Sequence, residues 1–304
     1  MTLKIVDSTG RDDLATVFVA RLSDGSLIEL VESVQPPVPR ESKTVLIVST
    51  LKGCPVGCPI CDAGGDYRGK LTAEEILAQV EYLIRRRWPD GRCPVPKLKV
   101  QLARMGDPAL NDAVLDALEE LPRRLDAPGL MPSFSTVAPH GRDGFMERLA
   151  DVKARLYGGG RFQMQFSVHT TDEEARRTLV PIRTWSLARM AEYGDDFFAS
   201  GDRKITLNFA AVKGYPVDPE ALAPLFSPER FLVKLTPINP THASAASGLA
   251  GAIDPAAPET ARRMAEGFER LGYDTIVSIG ELEENDIGSN CGMYVSAMRR
   301  RASA

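Results

Sequence analysis

The pattern of apolar and polar positions changes character twice along this chain. Residues 15–34 read as a β-hairpin. Thr16-Val17-Phe18-Val19-Ala20 and Ser26-Leu27-Ile28-Glu29-Leu30-Val31 flank Ser23-Asp24-Gly25, a turn whose glycine accepts positive φ. The Pro-rich piece Gln35-Pro36-Pro37-Val38-Pro39 is a stiff connector. From residue 43 the pattern becomes strand, loop, helix, repeated. Candidate strands are Thr44–Ser49, Leu98–Ala103, Pro132–Val137, Phe162–His169, Ile205–Val212 and Phe231–Pro237. Several are continuous apolar or β-branched runs, as expected of parallel strands covered by helices. Thr72-Ala73-Glu74-Glu75 is a capping box that starts a helix with Ile76, Leu77, Val80, Leu83 and Ile84 on one face. Val114, Leu115, Leu118 and Leu121 make the next apolar face, and Pro258–Leu271 supplies a late helix.

Six such units predict an α/β fold, a partial (β/α)6 TIM-like barrel with an N-terminal β-hairpin and a C-terminal extension. A doubly wound open sheet is the alternative, because pattern alone cannot close a barrel. The expected division is a hairpin extension over 1–40 and a core over 41–304 that includes a C-terminal active-site loop. Ala243–Pro258, rich in Ala, Gly and Pro, reads as a loop or lid.

Composition narrows the classes. The 304 residues are 43% hydrophobic and 26% charged, the balance of an ordinary globular protein rather than a disordered or collagenous one. No run approaches the roughly 18 apolar residues of a membrane span, and the first thirty residues lack a signal-peptide core. The formal net charge of −4 exerts no general pull on nucleic acid or anionic membrane. Five cysteines, an odd number without a secretory signal, point to a reducing cytoplasm and to chemistry rather than cross-links.

Cys54-Pro55-Val56-Gly57-Cys58-Pro59-Ile60-Cys61 follows the first barrel-type strand, on the face where such folds place active sites. Three thiolates in eight residues can wrap one soft metal centre. Iron–sulfur clusters normally take four cysteines, so three leave one iron open. A structural zinc site needs a fourth ligand. Cys93, Cys291 and the three histidines show no second Cys-x-x-Cys or paired histidines to supply it.

This Cys-x3-Cys-x2-Cys resembles that of the radical S-adenosylmethionine (SAM) enzymes. The resemblance implies a [4Fe–4S] cluster on Cys54, Cys58 and Cys61, with SAM chelated at the open iron and cleaved by one electron. The similarity narrows to the radical SAM adenine methyltransferases of ribosomal RNA, including the chloramphenicol–florfenicol resistance type. Leu27-Ile28-Glu29-Leu30-Val31 is similar to that family's pre-barrel strand, whose glutamate is a proposed proton acceptor, so Glu29 is the corresponding candidate base. Met105-Gly106-Asp107-Pro108, with Leu110-Asn111, resembles its Gly-Glu-Pro SAM-binding turn, with Asp in place of Glu. Ser135-Thr136 and Ser167-Val168-His169 match its SAM contacts, and Thr171-Asp172-Glu173, Arg176 and Val180-Pro181-Ile182 continue that segment. Pro237-Ile238-Asn239-Pro240 matches its Pro-x-Asn-Pro turn. Asp286-Ile287-Gly288-Ser289-Asn290-Cys291-Gly292 matches the loop of its methyl-accepting cysteine. The implied SAM contacts are Gly106, Asp107, Ser135, Ser167, Val168, His169 and Asn239.

Two departures shape the expected function. Ile47 stands where the family has its second cysteine, and Cys93, in Asp90-Gly91-Arg92-Cys93-Pro94, reads as an incidental surface-loop thiol. The family's helical RNA-binding domain is not expected before a hairpin that begins near residue 15. The basic runs Arg85-Arg86-Arg87 and Arg299-Arg300-Arg301 read as solvated helix faces. The expectation is methyl or methylene transfer through Cys291 to a carbon of a small-molecule or peptide substrate. Nucleic acid and membrane are not expected partners, and a flavodoxin- or ferredoxin-type protein is the expected electron donor. One alternative gives Cys291 the role of hydrogen-atom donor in an epimerisation or rearrangement. Another is a non-enzymatic iron–sulfur or zinc module. Glu29 as an exposed strand carboxylate is the alternative to its role as a base.

Overall fold

The computed structural model describes residues 3–279, 287 and 292–303, the last five by backbone. Three antiparallel strands open the chain: β1 (Leu3–Gly10), β2 (Ala15–Leu22) and β3 (Leu27–Ser33). The hairpin is therefore extended by a strand that the pattern did not predict. β1 is an edge strand whose only buried residue is Leu3, with Ile5 and Val6 half-buried against the core, so its apolar run is too short and irregular to mark a strand.

β4 (Thr44–Val48) runs antiparallel to β3 and begins the barrel wall. A small ribbon, β5 (Leu51–Lys52) and β6 (Gly69–Lys70), brackets the cysteine loop. The wall continues through β7 (Leu98–Leu102), β8 (Leu130–Thr136), β9 (Gln163–Ser167), β10 (Ile205–Ala210), β11 (Phe231–Thr236) and β12 (Thr275–Val277). These strands are parallel to β4 and adjacent in that order, which is the partial TIM-like barrel expected. β12 is an addition to the six predicted strands. It has three residues, two of them exposed, so it lacks the apolar run that marks the others.

The helices are α1 (Ala73–Arg87), α2 (Ala113–Arg124), α3 (Asp143–Leu156), α4 (Glu173–Leu179), α5 (Leu187–Phe197), α6 (Pro219–Leu222), α7 (His242–Ser247), α8 (Glu259–Arg270) and α9 (Met293–Ser303). Thr72 and Glu75 form the predicted capping box of α1. Its apolar face shares one core with Leu98, Val100 and Leu102 of β7 and with Leu115 and Leu118 of α2. Each such side chain contributes about 1.5–3 kcal/mol by leaving water. That outer layer holds the wall, while alternate strand positions face the lumen.

Two local expectations are corrected. Cys93 is fully buried in the main core, because its backbone pairs with Asp126 and draws it beneath the helices. The Ala/Gly/Pro-rich stretch opens inside α7, which Thr241 caps, and is a loop as expected only from Gly248 to Pro258. The C-terminal extension returns across the N-terminal strands, with α9 lying on β2 and β3. There Ala15, Val17 and Val31 form an apolar cluster with Ile47, Ile287 and Tyr294.

Candidate active site

The cysteine loop leaves β4 through a stitched segment. Ser49 N–H donates to Gln79 Oε1 at 2.9 Å, Gln79 Nε2 donates to Ser49 O at 3.0 Å, and Ser49 Oγ donates to Glu29 O at 2.6 Å. Asn111 Nδ2 donates to Thr50 O and Leu71 O at 2.8 and 2.7 Å. The loop entry is thus tied to α1, β3 and the turn after β7.

Cys54, Cys58 and Cys61 are half-buried. Burial pushes the Cys54 thiol up to about 11, against backbone N–H donors at Val56, Asp107 and Gly57. Burial and the neighbouring Cys54 push Cys58 up to about 12. Among the described residues, no three His, Cys, Asp or Glu side chains gather as ligands of a single ion. A cubane cluster asks for a different arrangement, one thiolate at each of three iron corners. Soft thiols on one tight loop, with amide N–H groups aimed at sulfur, fit such a cluster.

Two segments grip this loop from the far end of the chain. Asp62 Oδ2 and Oδ1 accept the backbone N–H groups of His242 and Ala243 at 3.1 and 2.8 Å, while Thr241 Oγ1 donates to Ile60 O at 3.2 Å. Asn239 sits exposed just before that contact. Ser296 Oγ of α9 donates to Asp62 O at 3.1 Å. Gly292, at φ +77°, is so close that a Cβ there would lie 2.4 Å from Ala63 N and 2.5 Å from Ala63 Cα. Only glycine permits that approach. Cys291 itself lies outside the described residues, but its neighbour Gly292 packs on the backbone one residue beyond Asp62.

Glu29 is fully buried, which removes the exposed-carboxylate alternative. Its Oε2 accepts from Gly292 N–H at 2.9 Å and its Oε1 from Val295 N–H at 2.7 Å. The buried Arg104 guanidinium pairs with Oε2 at 2.7 Å. A carboxylate at the free N–H groups of a first helical turn is a favourable cap.

Gly106 adopts φ +92° and lies against Leu51, where a Cβ would come within 2.4 Å. The adjacent Asp107 is buried, and desolvation raises its carboxyl to about 6 against hydrogen bonds that lower it. Its oxygens accept from Ala109 N–H at 2.9 Å, Val137 N–H at 2.7 Å and Thr136 Oγ1 at 2.8 Å. Asp107 therefore ties the turn after β7 to the end of β8. Its acceptors are largely committed to the chain itself.

Ser135 and Ser167 lie on lumen-facing positions near the C-terminal ends of β8 and β9, and buried Val168 and His169 follow directly after β9. His169 has φ +69°, and its Nδ1 accepts from Ala210 N–H at 3.2 Å, which leaves the proton of the neutral ring on Nε2. Burial, then Arg176, lowers its imidazolium to about 3. The Arg176 guanidinium donates to Val137 O at 2.9 Å and to Ser167 O and Val168 O at 3.0 Å. One buried cation thus binds the carbonyls at two adjacent strand ends. Arg104 and Asp62 were not singled out in the sequence. The available signal for Asp62 was its place directly after Cys61, and Arg104 had none.

No protein-family model matches the chain. It is 29% identical over 283 residues to the probable dual-specificity RNA methyltransferase RlmN of Desulfitobacterium hafniense, covering 90% of this chain and 74% of the relative. It is likewise 29% identical over 304 residues to the protein of the same name from Thermus thermophilus, covering 97% and 78%. In fold it is similar to a radical SAM methyltransferase from Sphaerobacter thermophilus, with a TM-score of 0.73, 24% identity, and coverage of 96% of this chain and 81% of that one. The chain is thus similar in sequence to proteins named as RNA methyltransferases and in fold to a radical SAM methyltransferase. In this chain the cysteine loop, the turn at Gly106 and the ends of β8 and β9 all lie at the C-terminal ends of the parallel strands, where barrel enzymes carry their chemistry. Cys93 precedes β7 and so lies toward the opposite end of the wall, away from that constellation.

Proposed function

We propose that this enzyme transfers a methyl-derived carbon from SAM, by way of Cys291, to a carbon of a small-molecule or peptide substrate. The observation that carries the reading is the attachment of Gly292, next to Cys291, to both Glu29 and the Asp62–Ala63 backbone. In this reading Cys54, Cys58 and Cys61 hold a [4Fe–4S] cluster. That cluster supplies the electron that splits SAM, received from a flavodoxin- or ferredoxin-type donor. Gly106 offers backbone at close range to the amino acid part of SAM. Ser135, Ser167 and Asn239 offer hydroxyl and amide groups, while Val168 and His169 shape a neutral wall. Asp107 and Arg176 hold those elements in place. Cys291 would give up its thiol proton and take the methyl group of one SAM as a thioether, with S-adenosylhomocysteine leaving; because residue 47 is Ile, release of the transferred carbon from Cys291 would need an external thiol that forms a disulfide with it.

The relatives are named as RNA methyltransferases. A non-ribosomal substrate is proposed here because Arg86 and Arg87, in the basic run on α1, are engaged by Glu32 and Asp12. Cations already paired gain less from phosphates and release fewer counterions. The solvated basic face expected there is thus an ion-paired one.

A second reading is favoured by Ile47, which packs beside Val31, Ile287 and Tyr294 and provides no second thiol. In it Cys291 donates a hydrogen atom to a substrate radical. Intact-mass measurement after incubation with SAM and reductant decides between them. A gain of one methyl, absent in Cys291→Ala, supports transfer. An unmodified Cys291 with solvent deuterium in the product supports donation.

A further inference from the structure

The lumen of the wall carries charge that the proposed chemistry at its C-terminal end does not use. On β7, β9 and β11 the residues packed under helices are apolar, and the alternate, partly accessible positions face inward. From β7 to β11 none of those inward positions is Asp or Glu, and two are lysines: Lys99 and Lys234. Gln101, Gln165, Ser167 and Asn208 are among the neutral polar groups between them.

β7 and β11 are separated by three strands, so their lysines approach the lumen from different sides of the curved wall. Lys234 is registered against Asn208, which is registered against Ser167, so Lys234 shares a row with one proposed SAM contact, while Lys99, the second residue of β7, lies nearer the N-terminal end of the wall. Desolvation lowers the ammonium of Lys99 to about 7, and repulsion from Lys234, Lys43, Lys97 and Arg203 acts in the same direction. Lys234 is lowered by desolvation and by Lys43. Lys43, Lys97 and Arg203 stand just before β4, β7 and β10, at the N-terminal mouth of the lumen. Among the described residues no carboxylate pairs with Lys99, Lys234, Lys43 or Lys97. Gathering like charges in a partly dehydrated space is unfavourable unless an anion joins them.

We propose that the lower lumen is an oxyanion subsite, in which Lys99 and Lys234 hold a phosphate or carboxylate group of a small anionic substrate. This deepens the reading of the reaction given above and rests on it for the word substrate. The oxyanion is drawn down by the cations, and the remainder of the molecule extends toward the strand C-termini. Lysine ammoniums act here as mobile point charges, suited to an oxyanion without demanding a planar, bidentate fit.

The test is calorimetric titration of the full chain with inorganic phosphate and, separately, with acetate at matched ionic strength. Saturable binding of one probe is expected, weakened at least tenfold in Lys99→Met and in Lys234→Met but not in Lys4→Met. Tighter phosphate than acetate assigns a phosphate group, and the reverse assigns a carboxylate. As a readout without variants, the same probe should protect Lys99 and Lys234 of the wild-type chain from reductive methylation, mapped by mass spectrometry. No saturable binding, or binding and protection that do not involve these two lysines, overturns the proposal. Failure of the reconstituted wild-type chain to cleave SAM, with probe binding intact, removes the catalytic reading and leaves the anion site standing.

Discussion

Glu29 Oε2 accepts the backbone N–H of Gly292 at 2.9 Å, joining residues 263 positions apart in the chain. With Val295 N–H on the other oxygen and Arg104 beside it, the carboxylate fastens the start of α9 to the inner face of β3. A carboxylate so engaged holds the C-terminal segment in position.

Replacing Glu29 should therefore uncouple α9 as well as expose a buried cation to an unfilled space. Glu29→Ala is expected to cost about 3–5 kcal/mol, the range for breaking a buried ion pair. Glu29→Gln, which keeps an acceptor, should cost less. Urea denaturation reads the stability, and hydrogen exchange over residues 293–303 reads the anchoring. Unchanged exchange in Glu29→Ala would contradict the anchoring role.

Gly292→Ala places a methyl group within 2.4 Å of Ala63 N and demands positive φ of an L-residue. Backbone strain of this sort costs about 1–3 kcal/mol. We expect faster proteolysis near residue 292 and at least a tenfold loss of methylation at Cys291, with cluster loading retained. Wild-type rates in this variant would show that the close approach is dispensable.

His169 should give stability a pH dependence of defined sign. Its folded-state value of about 3 is below the ordinary 6.5, so the unfolded chain takes up the proton first. The contribution is fully present above about pH 6.5 and is lost as pH falls toward 3, by up to about 1.4 kcal/mol per pH unit. His169→Asn, whose side chain tolerates positive φ, should flatten that slope. Chemical denaturation between pH 7 and pH 5 measures it, and equal slopes in the two proteins would count against the assignment.

The cysteine loop should depend on its metal for rigidity as well as chemistry. Anaerobic reconstitution with iron and sulfide is expected to raise Tm, and removal of iron by a chelator to reverse the gain. Cys54→Ala, Cys58→Ala and Cys61→Ala should each retain little iron after desalting. A variant that kept full iron content would remove that cysteine from the proposed set.

The barrel strands were legible because burial on the outer face writes itself into local sequence. Leu98, Val100 and Leu102 must be apolar to pack against α1 and α2. β1 and β12 were not legible, since an edge strand with one buried residue and a three-residue strand owe their existence to partners distant in sequence. Cys93 looked like a loop thiol for the same reason: its turn residues are local, whereas the backbone pairing with Asp126 that buries it is not.

The amino-acid sequence by itself determined the parallel α/β architecture, the capping box of α1 and the dense cysteine loop after the first barrel strand. Each of these follows from periodicity or spacing within a few turns of chain. Only the tertiary structure decided that Glu29 is buried as an anchor, that Asp62 and Gly292 lock the cysteine loop from the C-terminal side, and that lysines far apart in sequence share one lumen. Those roles come from through-space pairing and desolvation, which depend on the neighbours that folding brings together.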